Sequence, residues 1–596
     1  MAKLVLAEGR IKPLKNLTLE NIDTDEAAQN ITVAQAIRHY LEQIGVEYVF
    51  GVPGGAIVVL FDELCKSDQL KVVPTKTESG AVFMATAYAR VSGNLGVCIT
   101  TSGPGATNLV TGLSSAKLDG LPVLAITGQT SFAQRGYGAS QEMSEYTIDI
   151  IPLLSQVTKK SLPLTNPELI CKVLNELVHI ALTPRCGPVA INLPIDLSMA
   201  PFSYSKRVEF GWSLRKSDYN LNKETVEKAL YYFKRARSPL ILAGYGIEQA
   251  GAEDYLFKLA TKLGVPVITT PKAKGIFPED HPLSLGSFGY GGSRQSIEYI
   301  KSGMVDLLLA LGTRFSEVST NGWMPELYDI SQILHVDIDP GAVDYRFKSL
   351  YSVVMDVKVF LTEFHRRLEH ACPNFQISIK EFKETTPRYI EETKQCSDSV
   401  PIKPQRLLKD IQKSFPEDTA YFIDIGAIHL WANHYMTINR PKSYFIAYGL
   451  ASMASAVAGV IGGKLALGKK PVVCLTGDGS FLMNGCEINT ARLLELPIVW
   501  VILNDSRWGV VYYGMRSFGL ETNPTEFPPV DFALLASSFG CNGIRIDSPG
   551  QINQKLVQGF LSLDVPTILD VLIDRDETPP ILGRVKSLQH GKASNG

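Results

Sequence analysis

The sequence predicts an α/β protein built of three doubly wound parallel-sheet domains. From Val33 onward, short apolar, β-branched segments alternate with amphipathic helical ones. Alternation of that kind makes parallel strands joined by crossover helices. The chain is also 596 residues long, beyond the size at which a single hydrophobic core stops growing, so it must divide into several domains.

The first run covers 31–200, with a helix at 33–44 and strands at 48–52, 71–74, 97–101 and 123–127. It closes on Gly187-Pro188-Val189-Ala190-Ile191-Asn192-Leu193-Pro194, and the polar stretch 203–216 reads as a boundary. The second run, 215–365, carries apolar strands near 239–244, 264–268, 306–310 and 335–339. Residues 366–401 are dense in Glu, Lys, Thr and Pro, as expected of a solvated helix and linker. A third run spans 402–575 and shares the rhythm of the first. Residues 1–30 form an N-terminal tail, and the C-terminal tail, 576–596, is expected to be polar and loosely structured. The stretch 449–467 is rich in Gly, Ala and Ser and is interrupted by Lys464, so a buried helix is expected there and not a membrane span.

Apolar residues make up 45%, charged residues 20%, and the formal net charge is -2. A soluble body follows, with no electrostatic bias toward nucleic acid or anionic membrane. The nine cysteines lie singly, without a C-x-x-C pair, which suits a reducing compartment. The first 30 residues mix Lys with Glu and Asp and lack an apolar core, so neither a signal nor a transit peptide is expected and a cytoplasmic location is.

The chemistry points to two aspartates. Val472-Val473-Cys474-Leu475-Thr476 reads as a buried strand broken by Gly477-Asp478-Gly479-Ser480, with a helix resuming over 485–494. A second strand, 498–503, runs into Asn504-Asp505. The aspartates are 27 residues apart (505 minus 478), about one β-α-β crossover. Both carboxylates should therefore emerge at the same sheet edge, where open α/β sheets bind ligands. Glycines beside Asp478 let a phosphate approach the backbone and the following helix N-terminus, and Mg²⁺ favours a few hard oxygen ligands plus those of a phosphorylated partner. Gly-Asp-Gly alone is a common turn; the spacing and the flanking strands make it a site.

Phe50-Gly51-Val52-Pro53-Gly54-Gly55-Ala56, Thr101-Ser102-Gly103-Pro104-Gly105-Ala106-Thr107-Asn108, Gln141-Glu142, 477–484 and 504–511 together resemble the motifs of thiamine-diphosphate-dependent enzymes. The resemblance runs over about 31–579 and is strongest to acetolactate (acetohydroxyacid) synthase large subunits. It implies a pyrimidine-binding domain at 31–200, a central domain at 215–365 and a diphosphate-binding domain at 402–575. By that resemblance Asp478, Asp505 and the main-chain carbonyl of Arg507 bind Mg²⁺, which binds the cofactor diphosphate. Gly477, Gly479, Ser480, Gly509 and Val510 stand beside them, and Gly426, Ala427 and Ile428 form a further diphosphate segment. Most relatives have Asn where Asp505 stands, although some acetolactate synthases share Asn-Asp-Ser.

Glu78, in Lys76-Thr77-Glu78-Ser79-Gly80-Ala81, matches the catalytic glutamate that hydrogen-bonds the pyrimidine ring. A carboxyl against an apolar wall has a raised pKa and shares a proton readily with a ring nitrogen; a lone Glu at a helix start is otherwise a favourable N-terminal charge. Met453 matches the apolar wedge that bends the cofactor, with the Ala451 carbonyl facing the exocyclic amine. Gln141 matches a cofactor-proximal catalytic glutamine, and Pro53 and Gly54 a cofactor-binding turn.

The chain departs from the pattern at five places. Thr77 stands where the synthases often carry His, and Ile428 replaces another His, with His429 next door. Val318 replaces an Arg associated with the acceptor carboxylate, and Gly291 a His of the flavin-binding synthases, so FAD is not expected. Gly514 replaces a bulky Trp near the substrate channel, leaving room for a larger donor or acceptor. The implied activity is decarboxylation of a small-molecule 2-oxo acid, by default pyruvate, and its ligation to a second carbonyl compound. Alternatives are an acyloin synthase using aryl pyruvates, a flavin-dependent enzyme of the pyruvate oxidase type, and a non-catalytic homologue. The resemblance also implies a homodimer or homotetramer with active sites at the dimer interface, and no nucleic-acid or membrane partner.

Overall fold

The computed structural model describes residues 29–204, 222–368, 375, 377 and 379–580. Most of the expected boundary stretch 203–216, and the tails up to 28 and from 581, lie outside the described residues.

Three six-stranded parallel sheets follow one another along the chain. A short antiparallel pair, β1 (Gln29–Thr32) with β8 (Pro201–Tyr204), brackets the first of them. The first sheet contains β2 (Tyr48–Gly51), β3 (Lys71–Pro74), β4 (Gly96–Thr100), β5 (Val123–Gln129), β6 (Lys160–Pro163) and β7 (Val189–Pro194), in the order β3-β2-β4-β5-β7-β6. The central sheet is β9 (Pro239–Ala243), β10 (Val267–Thr269), β11 (Ser284–Ser287), β12 (Leu307–Leu311), β13 (Gln332–Asp337) and β14 (Tyr351–Val354), ordered β11-β10-β9-β12-β13-β14. The third is β15 (Ala420–Ile423), β16 (Tyr444–Ile446), β17 (Val472–Gly477), β18 (Ile498–Asn504), β19 (Asn542–Ile546) and β20 (Thr567–Leu572), ordered β16-β15-β17-β18-β20-β19. Counted from each sheet's own first strand, the first and third share the order 2-1-3-4-6-5, which is the structural meaning of their shared rhythm. The central sheet has 3-2-1-4-5-6. Central strands such as β5 and β12 are buried along their whole length, as helices on both faces require.

The chain forms two compact units, and the third sequence run is shared between them. One unit holds the first sheet with 449–470 and 482–498; the other holds the central and third sheets. In the first unit the helix Ser455–Leu467 lies along the helix Glu78–Ser92 at backbone distance. A Cβ on Gly462 would sit 2.0 Å from the Met84 carbonyl oxygen, so only glycine permits this approach.

Several expected boundaries move. The helix expected from 449 begins at Ser455, because Ala451 and Ala454 adopt left-handed backbone (φ 55° and 63°) and the Gly449 N–H is tied to Asp119 Oδ1 at 3.0 Å. The helix expected from 485 begins at Asp478 itself, directly off β17, and a 3₁₀ turn follows at Gly485–Glu487. The expected linker is packed: Arg388 binds Glu279, Tyr435 donates to the Ile390 carbonyl, and Gln295 donates to the carbonyls of Lys383 and Thr386. The start of the expected loose tail is also held, since Glu577 is buried and receives Lys403, Lys394 and Gln405 at 2.7–3.0 Å.

Within the second unit, Lys274 and Glu279 form a buried ion pair of 2.7 Å. Lys274 also donates to the Asn433 carbonyl, and Glu279 accepts the Ile438 N–H. Beside them His434, 2% exposed, donates from Nδ1 to the Gly292 carbonyl and accepts the Ile390 N–H at Nε2. Both nitrogens are satisfied only in the neutral ring, and burial, with the charges of Lys274 and Arg388, lowers its pKa to about 4. The unfolded chain therefore binds this proton first as pH falls below about 6.5. Stability from this residue is complete above that pH and falls by about 3 kcal/mol by pH 4. Denaturant titrations across this range should show the loss, and His434→Asn, which keeps a donor but does not titrate, should flatten it.

Candidate active site

One group of candidate residues lies at the carboxyl ends of the first sheet, around the loop 101–108. Thr101 ties in the Pro53-Gly54 turn: its Oγ1 accepts the Ala56 N–H at 3.3 Å, and a Cβ on Gly54 would meet its side chain at 2.5 Å. Gln141 reaches the loop with left-handed backbone (φ 60°), its Cβ 2.9 Å from where a Cβ of Gly103 would lie. Glu78 Oε1 lies 3.7 Å from the corresponding point on Gly105, and Oε2 accepts the Asn108 amide at 3.0 Å. The Pro53-Gly54 turn, Glu78 and Gln141, which follow β2, β3 and β5, thus meet around the one loop that follows β4. Glu78 is half-buried at the first turn of its helix beside a polar amide, in place of the expected apolar wall. Asn108, the last residue of the 101–108 motif, is a partner of Glu78 that the motif alone does not reveal. Met453 is half-buried and Ala451 exposed in the turn before Ser455, which is anchored through Gly449.

A second group, in the other unit, lies at the carboxyl ends of β15, β17 and β18, which are neighbours in the third sheet. Asp478 follows β17 and is 2% exposed. Its Oδ1 accepts the Gly479 N–H at 2.6 Å, and Oδ2 accepts the N–H groups of Asp505 and Ser506 at 3.0 and 2.6 Å. Burial, and then the charge of Asp505, push its carboxyl up to about 7, while the three N–H groups pull it down. Burial also raises Asp505, against the pull of Arg507, whose Nε donates to Asp505 Oδ2 at 2.8 Å. The extra negative charge that Asp505 brings, compared with Asn, is therefore matched inside the protein by a side chain only 2% exposed. Arg507 in turn donates to Tyr513 Oη, whose proton is shared between the carbonyls of Arg575 and Glu577. The Arg507 carbonyl accepts the Gly509 N–H at 3.0 Å.

A Cβ on Gly509 would lie 3.6 Å from Asp505 Oδ2 and 3.8 Å from the Ala427 methyl, so the 426–428, 477–480 and 505–510 segments converge, with Val510 half-buried on the helix Gly509–Ser517. At Gly426 and Gly477 an added Cβ would meet nothing within 4 Å. An open glycine floor beside two hard-oxygen side chains fits a metal-bound diphosphate. Among the described residues no cluster of three or more His, Cys, Asp and Glu suits a metal, so a cation here would complete its shell from carbonyl, water and ligand oxygens.

Two expected contacts change. Ser480 is 2% exposed and its hydroxyl donates to Asp424, which also receives Thr476 at 2.9 Å, so this side chain braces the turn. Asp424, fully buried and missed in the sequence, anchors β15 to the Asp478 turn. Ile428 is 2% exposed, leaving it only backbone to offer, and His429 Nδ1 accepts the Gly426 N–H at 3.2 Å as a cap. Elsewhere Gly291 (φ 65°) packs on the Leu430 backbone, where a Cβ would be 2.7 Å from the carbonyl oxygen, so no side chain fits where the synthases have His. Val318 is half-buried and its carbonyl accepts the Tyr290 N–H; a Cβ at Gly514 would meet nothing within 4 Å.

Arg507→Met should leave Asp505 buried without its cation and cost about 3–5 kcal/mol. Adding Asp505→Asn should recover much of that loss, and melting temperatures of the two variants check it.

Residues 31–150, 226–364 and 424–571 match, in order, the N-terminal TPP binding, central and C-terminal TPP binding domains of thiamine pyrophosphate enzymes. The chain is 35% identical to the probable acetolactate synthase large subunit of Methanocaldococcus jannaschii, over 92% of this chain and 93% of that one. It is 32% identical to an acetolactate synthase of Arthrospira platensis (93% and 96%) and 31% identical to the acetolactate synthase large subunit of Corynebacterium glutamicum (92% and 88%). With all three domains in order and likeness across nearly the whole length, the chain belongs to the thiamine pyrophosphate enzymes, on the acetolactate synthase branch.

Proposed function

We propose that the protein decarboxylates a 2-oxo acid, pyruvate in the simplest case, and joins the remaining fragment to a second carbonyl compound. The observation that carries this reading is the convergence of Asp478, Asp505 and the open Gly426 and Gly477 backbone at neighbouring strand ends. Mg²⁺ would be held there by Asp478, Asp505 and the Arg507 carbonyl, with the diphosphate of the cofactor over the glycines and the N-terminus of the helix Ala427–Tyr435. Thiamine diphosphate, when bound, accepts the electrons released as carbon dioxide leaves.

The chain's own groups do the rest. Glu78 holds a proton at its Oε1 for the pyrimidine ring while Asn108 fixes Oε2. Gln141, exposed beside Gly103, is placed to orient a substrate, and Met453 supplies apolar surface against the cofactor. A homodimer or homotetramer in the cytosol is the proposed working form, and the described cysteines, all free thiols, suit that setting.

Glu78→Gln should lower kcat by about 10²- to 10⁴-fold; unchanged turnover of every 2-oxo acid, offered singly and in pairs with products identified by mass, would remove the mechanism. Asp478→Asn should weaken binding of Mg²⁺ with thiamine diphosphate, by calorimetry, by more than the roughly 10- to 100-fold that loss of an outer partner costs.

A further inference from the structure

Glu487 is carried more than 400 residues beyond Glu78 in sequence, yet its carboxylate closes on the turn that delivers Glu78. It is 0% exposed. A fully buried carboxylate persists only when donors surround it, and here they come almost entirely from two residues. Oε1 and Oε2 accept the Lys76 N–H at 3.0 and 3.2 Å, and Oε1 accepts the Thr77 N–H at 2.8 Å. The Thr77 hydroxyl lies 2.9 Å from Oε1 and 3.1 Å from Asn484 Oδ1. Thr490 donates to Oε2 at 2.8 Å.

Thr77 serves both neighbours at once. Its Oγ1 accepts the Gly80 N–H at 3.0 Å as the N-cap of the helix that Glu78 begins, so its single proton must point toward Glu487 or Asn484. The packing is close enough that a Cβ on Gly80 would lie 2.3 Å from Glu487 Oε1 and 2.7 Å from Thr77 Oγ1. The main chain before Glu78 is thereby held by charge-assisted bonds, and the main chain after it by the cap.

We propose that Glu487, acting through Lys76 and Thr77, is a positioning residue that aims the Glu78 carboxylate, with Thr77 the hydroxyl relay on which this chain relies where the synthases often carry His. The proposal rests on the catalytic reading of Glu78 above. It does not require Glu487 to touch cofactor or substrate.

The test uses the intact holoenzyme and the variants Thr77→Val, Thr77→Ser and Glu487→Gln. The main readout is exchange of the C2 proton of bound thiamine diphosphate for deuterium, followed by rapid acid quench and proton NMR, with cofactor Kd and melting temperature measured alongside. Thr77→Val and Glu487→Gln should slow exchange about 10- to 100-fold, as misplacement of a reacting group by about an ångström does. Cofactor Kd should stay within about threefold, less than 1 kcal/mol by the affinity relation, and Thr77→Ser should restore exchange. Unchanged exchange in a folded Thr77→Val protein overturns the proposal, and this variant decides the matter if Glu487→Gln does not fold. Slower exchange matched by an equal loss of cofactor affinity also overturns it, by showing a merely structural role. Glu78→Gln separates the two levels: if that variant still exchanges the proton, the catalytic reading of Glu78 fails and the proposal falls with it; if it does not, failure of the Thr77 and Glu487 variants counts against the positioning role alone.

Discussion

Two carboxylates at the ends of adjacent parallel strands repel each other, and the surroundings of Asp478 and Asp505 are arranged to hold them there. Asp478 is met by three backbone N–H groups, two of them from the turn that carries Asp505, so each aspartate fixes the other's position. Asp505 is met by Arg507, and Arg507 by Tyr513. The Tyr513 hydroxyl reaches the carbonyls of Arg575 and Glu577, while the Glu577 carboxylate is buried under Lys403, Lys394 and Gln405. The segment after β20 is thus tied, through Tyr513 and Arg507, to the buried charge of Asp505. Unscreened charge in a low-dielectric place demands such partners, since leaving one unmet costs several kcal/mol.

Topology explains why chemistry collects where it does. In a parallel sheet all carboxyl ends share one edge, and a crevice opens where the winding reverses. The first and third sheets reverse between their first and third strands, β2 and β4 in one, β15 and β17 in the other. The Gly54 turn and the 101–108 loop follow β2 and β4; the Gly426 and Asp478 turns follow β15 and β17. The two groups of candidate residues, each in its own unit, are therefore built at equivalent points of the same winding. One furnishes a carboxyl and an amide for proton handling, the other hard oxygens and open backbone.

Much of this was legible in the sequence because it depends on local pattern. The strand at 71–74 matched β3 to the residue, and the Asp478 to Asp505 spacing gave adjacent parallel strands, as period and crossover length dictate. What escaped depends on backbone conformation or on distant partners. The apolar run from 449 looked helical throughout, but Ala451 and Ala454 take positive φ, which alanine does not advertise. Ser480 and Ile428 matched motif positions, yet their side chains turned inward, to Asp424 and to the core. Glu487 carried no readable signal, since its backbone donors, Lys76 and Thr77, lie more than 400 residues away. The linker and tail looked solvated because their charges were counted without partners; Arg388 and Glu577 have them.

The departures from the synthase pattern can now be separated by what surrounds them. At 77 the lost His is replaced by a Thr that caps a helix and contacts Glu487. At 428 the side chain is in the core, and the neighbouring His429 caps Gly426. At 291 a left-handed glycine packs on backbone, where any side chain would collide. These three are explained by local packing, so none of them counts against the catalytic reading. Gly514 is different: a Cβ there would meet no atom of the described residues within 4 Å. A position emptied without compensation changes what can occupy the neighbouring volume, whereas a position refilled does not. Of these four positions only Gly514 leaves room unfilled, so the alternative reading with bulkier 2-oxo acids rests on that position alone.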